Sequence, residues 1–457
     1  MAAASRLIII GLGPGDASLL TVEARDALAA APEVWLRTAR HPTVGGLPQG
    51  PRYQSFDEVY ERGASFAEVY GEIVERVLEL AARPAGVVYA VPGHPLFGEA
   101  TVRALLERAP PAGIGVRIVP GISFLDAVAA ALGLDPLAEG LLLLDALSLG
   151  EPHGMLAPQR PTVIAQVYDQ RAASQAKLAL LDLYPPEHPV RVVSGAGTTG
   201  EHVTDVALEA LDRSAAVFDH LTSVYVRALP AVADTRSFAG LRYVVARLRA
   251  PEGGCPWDLE QTHETLKRYL LEEAYEAIDA LDEREPHRIA EELGDLMMQV
   301  LLHAQVAEDA GEFTIEDVIG SINAKLIRRH PHVFGDVRVE GAGEVLRNWE
   351  ILKKEERGDQ PLLDAVPKAM PALAQAQSVQ GRAAKAGLGP EAKPASDLAE
   401  SIARLASGNA DAGVLGGLLF AIVELARERD LDAEESLRMA VRRFRVQVAA
   451  GEGKSGT

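Results

Sequence analysis

The sequence predicts a multidomain protein whose N-terminal half is α/β and whose C-terminal half is all-α. Three observations carry this reading. The chain has 457 residues, too many for one ordinary domain at roughly 150 residues each. Up to about residue 235, short β-rich runs alternate with helical patterns, the signature of an α/β fold. Beyond residue 240 the β-runs stop, and long helical periodicity rich in Glu, Arg, Leu and Ala takes over.

Taken in order, Leu7–Ile10 is a strand that runs into the Gly-rich turn Gly11-Leu12-Gly13-Pro14-Gly15-Asp16, and the helix Leu20–Ala30 follows. Further strands are predicted at Gly86–Val91, Val116–Val119, Thr162–Val167, Val190–Val193 and Ser223–Val226, most of them bounded by Gly or Pro. The α/β half ends within Leu229–Gly240. In the helical half, Thr262 starts one helix, Pro286 begins a second and Gly311 ends it, and a third spans Thr314–Arg329. A break at Gly358–Pro371, with three prolines, divides the remainder. The expected domains are therefore 1–230, 238–358 and 362–450.

The two helical segments read as a repeat. Glu292–Val300 aligns with Val414–Ile422, and Glu272–Glu276 aligns with Ser396–Glu400, which suggests a pseudo-symmetric bundle. The formal net charge of −20 argues against a nucleic-acid polymer or an acidic membrane surface as partner. One cysteine, Cys255, excludes an internal disulfide and a multi-Cys zinc site. The segment Met1–Ser5 lacks the basic start of a secretory leader, and no apolar run approaches the ~18 residues of a membrane span. A soluble, cytoplasmic protein is expected.

The strongest chemistry lies in Glu272-Glu273-x-x-Glu276 followed by Glu292-x-x-Asp295. Acidic residues on helices are usually a solvated face. At about 100° per residue, however, Glu273 falls between Leu266 and Tyr269, inside the apolar arc, and Glu276 lies beside Tyr269. Glu292 and Asp295 sit among Leu296, Leu302 and Val306. Buried, unpaired carboxylates are costly, so Glu273, Glu276, Glu292 and Asp295 facing one another call for a cation. All-oxygen ligation suits Mg²⁺ or Mn²⁺ rather than zinc. Lys325, Arg328 and Arg329 share one helix, and Lys353 and Lys354 lie on the next; beside such a site they form a clamp for a polyphosphate. Trp257 is either a stacking face for a nucleotide base or a core aromatic.

Cys255-Pro256-Trp257-Asp258, the EExxE…ExxD pair, and Arg328-Arg329-His330-Pro331-His332-Val333-Phe334 followed by Trp349-Glu350 resemble MazG, the all-α nucleoside triphosphate pyrophosphohydrolases, over about residues 238–450. The resemblance implies cleavage of an NTP to NMP and pyrophosphate. It implies that Glu273, Glu276, Glu292 and Asp295 hold Mg²⁺ and that Glu272 orients or deprotonates the attacking water. The chemistry is consistent with metal-assisted hydrolysis. Small proteins of this family build their site in a dimer, so a homodimer is expected. The second repeat departs from the pattern: Ser396, Val414 and Gly417 stand where the first has Glu272, Glu292 and Asp295, leaving only Asp397 and Glu400 acidic. It is read as a structural partner.

In the α/β half, Pro14 breaks the dinucleotide fingerprint and Asp16 would repel a pyrophosphate, so an NAD site is excluded. The first turn, with Val91-Pro92-Gly93-His94-Pro95-Leu96-Phe97-Gly98 and Val119-Pro120-Gly121-Ile122-Ser123, resembles the tetrapyrrole (corrin/porphyrin) methylases. Gln166–Gln170 and Leu221–Val226 further resemble the methylase half of bacterial methylase–MazG fusions. The resemblance implies two α/β lobes with S-adenosylmethionine between them, held along Gly11, Gly13, Pro14, Gly15, Asp16, Gly93, His94, Pro95, Gly121 and Ser123. His94 stands where that family has Asp, a departure that bears on catalytic competence. Three readings of the whole stay open: a pyrophosphohydrolase carrying a cofactor-binding methylase-like domain, a methyltransferase whose helical half is a dimerisation or sensor module, or a pure binding protein without turnover, against which the four intact carboxylates of the first repeat count.

Overall fold

The computed structural model of the chain describes residues 6–63, 65–149, 156–216, 218–357, 361–389, 395–407 and 411–455, excepting the side chains of 350, 354, 355, 357, 395–397 and 450–455. Packing separates two compact units, Met1–Val318 and Ile319–Thr457.

The first unit opens with a sheet of five parallel strands in the order β3-β2-β4-β1-β5. They are β1 (Leu7–Gly11), β2 (Glu33–Leu36), β3 (Arg52–Ser55), β4 (Val87–Val91) and β5 (Val116–Val119). The crossovers are α1 (Val22–Ala30), α2 (Asp57–Arg62), α3 (Phe66–Ala81) and α4 (Ala100–Arg108). The apolar run of β1 is buried on both faces, as a parallel strand between two helical layers requires. Leu7 and Ile9 join Ile73, Val77 and Leu105 in one layer, and Ile10 joins Leu28 and Val34 in the other. Helix α1 starts two residues later than the periodicity predicts. The Thr21 hydroxyl accepts from the Ala24 N–H at 3.1 Å and caps it, leaving Leu20 outside.

A second lobe follows α5 (Phe124–Leu132). Its sheet order is β6-β7-β10-β8-β9, with β6 and β7 parallel and the other pairs antiparallel. The strands are β6 (Leu142–Asp145), β7 (Thr162–Ala165), β8 (Pro189–Ser194), β9 (His202–Ala207) and β10 (Thr222–Val226), with α6 (Gln170–Leu181) packed on one face. All six strands read from the sequence are present. The four that were not, β2, β3, β6 and β9, are short or line an edge.

The chain then turns helical with α7 (Phe238–Leu248), α8 (Pro256–Leu259), α9 (His263–Glu283), α10 (Pro286–Ala310) and α11 (Ile315–Arg329), within which the two units divide. Val245, Leu266, Leu301, Leu302 and Ile315 form the core of this layer. The second unit continues with α12 (Pro331–Phe334), α13 (Ala342–Arg357), α14 (Ala372–Lys385), α15 (Ala395–Ala406), α16 (Ala412–Glu428) and α17 (Ala433–Ser455). Gln377 of α14 binds the Leu431 carbonyl and the Ala433 N–H, each at 2.9 Å, and so fixes the α16–α17 corner.

Candidate functional site

Helices α9 and α10 form an antiparallel hairpin whose ends are set locally. Thr262 and Thr265 make a reciprocal capping box at the start of α9. Pro286 occupies the first turn of α10, and Gly311, at φ 70°, closes its C-terminus in the left-handed conformation. Only Arg284 and Glu285 connect the two helices. At the far end, Nδ1 of His263 meets Nδ1 of His303 at 2.8 Å, which fixes the antiparallel register.

This register brings the carboxylates together. Oxygens of Glu273, Glu276 and Glu292 lie within 4.8 Å of one another. Two oxygens bound to one Mg²⁺ at about 2.1 Å stand at most about 4.2 Å apart, so small side-chain rotations bring the trio to ligation distance. Asp295 stands outside the trio yet acts on it. Burial pushes the Glu273 carboxyl above its usual range, and the charges of Asp295 and Glu276, a hydrogen bond with Glu276 and the charge of Glu272 push it further. Glu273, Glu292 and Asp295 are half-buried, whereas Glu272 and Glu276 are exposed. Arg288 approaches Glu292 at 3.5 Å and also pairs with Glu283. The donor set is hard oxygen alone, and its mutual repulsion is the kind a divalent cation relieves; the residues fit Mg²⁺ or Mn²⁺.

Trp257 is 49 % exposed and packs edge to face with Tyr269, 5.7 Å between ring centroids. In the second unit, Arg328 offers Nε and Nη2 to Glu356 Oε1 at 3.0 and 2.6 Å, and Arg329 pairs with both oxygens of the same carboxylate. These two arginines hold Glu356 far below the usual carboxylate range, at about 2. The Lys353 ammonium lies 3.6 Å from the centre of the Trp349 ring, and the Arg329 guanidinium 5.8 Å from it. Lys325 is half-buried on α11. The pairing to Glu356 was not expected; it lies 27 residues beyond Arg329, and no local spacing announces it. The side chains of Lys354, Glu350, Ser396 and Asp397 lie outside the described residues, and Glu400 is exposed on α15.

In the α/β half, β1 lies between β4 and β5, so the turns leaving all three converge. Gly13 and Gly93 exchange backbone hydrogen bonds at 3.1 and 2.7 Å. A Cβ on Gly11 would stand 2.6 Å from the Gly121 nitrogen and from the Gly93 oxygen, and one on Gly121 would stand 2.3 Å from the same oxygen. These two glycines therefore let three loops pack backbone to backbone. Gly93 itself, at φ +64°, has open space where a Cβ would be. That open space lies at the carboxyl ends of the strands, where open α/β sheets bind their ligands.

The remaining residues of the expected cofactor set have visible local partners. Gly15 backs onto Gly197 of the second lobe, in whose turn a Cβ on Gly197 would come 3.8 Å from Pro14. The Asp16 carboxylate accepts from the Thr199 N–H at 3.0 Å, tying the lobes together. The His94 Nδ1 accepts from the Leu96 N–H at 3.1 Å, and a Cβ on Gly11 would stand 2.7 Å from Pro95. The Ser123 hydroxyl is spent in a capping box with Asp126 at the start of α5.

Two family models match the chain: Tetrapyrrole (Corrin/Porphyrin) Methylases over residues 6–212 and the MazG nucleotide pyrophosphohydrolase domain over 261–334. An uncharacterized protein of Bacillus subtilis, YabN, is 43% identical over 384 residues, covering 82% of this chain and 77% of its own. The nucleoside triphosphate pyrophosphohydrolase/pyrophosphatase MazG of Thermotoga maritima is 42% identical over 227 residues, 45% of this chain and 82% of that protein. The nucleoside triphosphate pyrophosphohydrolase of Escherichia coli K12 is 42% identical over 214 residues, 44% of this chain and 81% of that protein.

Proposed function

The chain belongs to the family that joins a tetrapyrrole methylase domain to a MazG nucleotide pyrophosphohydrolase domain, and from that premise we propose that it hydrolyses nucleoside triphosphates to NMP and pyrophosphate with Mg²⁺ or Mn²⁺. The observation that carries the proposal is the convergence of Glu273, Glu276 and Glu292 within 4.8 Å, with Asp295 adding its charge.

In this reading Glu273, Glu276, Glu292 and Asp295 hold the metal. When bound, the metal offsets charge on the phosphate oxygens and acidifies water. Glu272, exposed beside the trio, accepts the proton of the attacking water. Lys325, Arg328, Arg329 and Lys353 are read as polyphosphate ligands, and Trp257 as the base-stacking surface. The second repeat, lacking the counterparts of Glu292 and Asp295, supports the fold without metal chemistry.

A homodimer is part of the proposal. Leu271 and Tyr275 on α9, with Leu293, Met297 and Val300 on α10, are large apolar side chains left exposed at one-turn spacing. Sedimentation of the full chain tests it. Among the described residues, no helix is long and apolar enough to cross a membrane. We read the protein, separately, as cytoplasmic with small nucleotides as its partners. We further read the open space beside Gly93 as the seat of S-adenosylmethionine. Binding is proposed there; methyl transfer is not, because His94 replaces the family's acid and its ring is held within its own loop.

The deciding experiment incubates the full chain with each NTP and dNTP and Mg²⁺ and assays pyrophosphate against orthophosphate. Pyrophosphate release supports the reading; methyl transfer from labelled cofactor without NTP hydrolysis would favour the methyltransferase alternative.

A further inference from the structure

Among the described residues, eleven side-chain polar atoms are buried without a hydrogen-bond partner, and six of them belong to five residues of the first lobe. They are Trp35 Nε1, Arg37 Nε, His41 Nδ1 and Nε2, Tyr60 OH and Glu99 Oε2. Native interiors satisfy nearly all such atoms, so a local excess marks a seat for something bound. The seat has a definite place. Arg37 continues β2, its N–H donating to the Ala90 carbonyl of β4 at 2.8 Å. Glu99 ends the loop leaving β4 at the N-cap position of α4, where its side chain makes no capping hydrogen bond. Both therefore stand at the carboxyl ends of strands, where an open α/β sheet places its ligands.

The ion pair between them is incomplete. Arg37 Nε and Glu99 Oε1 are 3.4 Å apart without hydrogen-bond geometry, and the Glu99 side chain is only 5 % exposed. A buried pair left this loose is a poor stabiliser by itself. We propose that Arg37, Tyr60 and Glu99, flanked by Trp35 and His41, form a binding site for a small monocarboxylate, separate from the helical carboxylates.

The atoms left over decide the ligand class. Trp35, Arg37 and Tyr60 each offer a donor, which asks for an oxyanion. Burial pushes the Glu99 carboxyl up to about 7, the Arg37 charge opposing. Once protonated, it too donates to a ligand oxygen. Burial pushes His41 down to about 4, with His220 and Arg37 adding to it, so this ring stays neutral and brings no positive charge. Burial pushes Tyr60 up to about 12, so it stays a hydroxyl. One guanidinium thus balances one negative charge, which favours a carboxylate over a phosphate dianion.

Proton linkage follows from the same groups. The charges and hydroxyls around the Arg37–Glu99 pair are Tyr60 of α2, Tyr70 of α3 and Tyr89 of β4, with Asp57 acting on Tyr60 and His220 of the second lobe acting on His41. Tyr70 and Tyr89 are pushed upward by burial. Glu99 is then the group of this pocket that gains a proton as the anion enters. Carboxylate affinity should therefore rise as pH falls through about 7.

The test is calorimetry of the full-length protein with acetate and with pyruvate, near pH 6 and near pH 8, in two buffers of different ionisation heat. We expect saturable carboxylate binding, about tenfold tighter at the lower pH, with close to one proton taken up at the higher. Inorganic phosphate should bind more weakly than acetate. Glu99→Gln should remove the pH dependence and the proton uptake, and Arg37→Met should abolish binding. Thermal melting and circular dichroism report whether each variant is folded. The proposal is overturned by no saturable carboxylate binding near pH 6, by phosphate binding as tightly as acetate, or by a folded Glu99→Gln protein that keeps the wild-type pH dependence. None of these outcomes depends on the pyrophosphohydrolase reading.

Discussion

Glu273 of α9 and Glu292 of α10 face each other across the helical hairpin, with carboxylate oxygens within 4.8 Å. The register that places them is built from ordinary helix signals: the Thr262 cap, Pro286 in the first turn of α10 and Gly311 at its end. Fold and chemistry meet at this pair, because only an antiparallel hairpin aligns an acidic residue from the middle of one helix with one near the start of the next.

Asp295→Asn and Glu276→Gln should each lower NTP hydrolysis by about a hundredfold or more, on the order of 2.7 kcal/mol of lost transition-state stabilisation. An amide fills the same volume but is a poor ligand for a hard dication. Circular dichroism should show the fold unchanged. Mg²⁺ affinity of the wild type should weaken as pH falls through the raised Glu273 pKa, because metal and proton compete for the same oxygens. Steady-state kinetics across a Mg²⁺ series checks both statements.

The double variant Asp397→Asn, Glu400→Gln should keep wild-type turnover within about twofold, since Val414 and Gly417 leave the second repeat without the facing carboxylates. A folded double variant that loses most of its rate would give the second repeat a catalytic part.

Gly93→Val and Gly121→Ala should fail in different ways. At Gly93 there is room for a side chain but φ is +64°, so valine strains the turn and fills the space left for a ligand. S-adenosylmethionine binding should weaken with a modest drop in Tm. At Gly121 a methyl would stand 2.3 Å from the Gly93 oxygen, and overpacking of this kind costs about 1–3 kcal/mol. Calorimetric titration alongside thermal melts of both variants separates lost binding from lost stability.

Much of this architecture is legible in the residues themselves. Strands such as β1 and β10 stand out because both of their faces are covered, giving runs such as Ile8-Ile9-Ile10. Strand β3, Arg52–Ser55, is an edge of four polar or half-buried residues. Strand β9 has only exposed and half-buried positions, and neither strand carries a continuous apolar signal. The acidic pair is legible because helical spacing fixes which residues share a face. The tie between Asp16 and Thr199, the capture of Arg328 and Arg329 by Glu356, and the Arg37–Glu99 pocket join residues far apart in the chain, so no local pattern encodes them.

The Glu356 carboxylate should titrate at about 2 by NMR, well below an ordinary glutamate. Hydrogen bonds from Arg329 and then Arg328 favour its charged form. The folded-state pKa is depressed, so the stabilisation is present above the ordinary glutamate range near about 4.3 and is lost as pH falls through about 2. Arg329→Gln should raise the midpoint toward the ordinary value.

The most direct test of the metal-dependent pyrophosphohydrolase reading is product analysis for the full-length protein with an NTP, with and without Mg²⁺, beside Asp295→Asn. The account expects NMP and pyrophosphate in equal amounts from the wild type with metal, and none from the wild type without metal or from the folded variant. Release of orthophosphate and NDP, or unchanged pyrophosphate release by folded Asp295→Asn at saturating Mg²⁺, would contradict it.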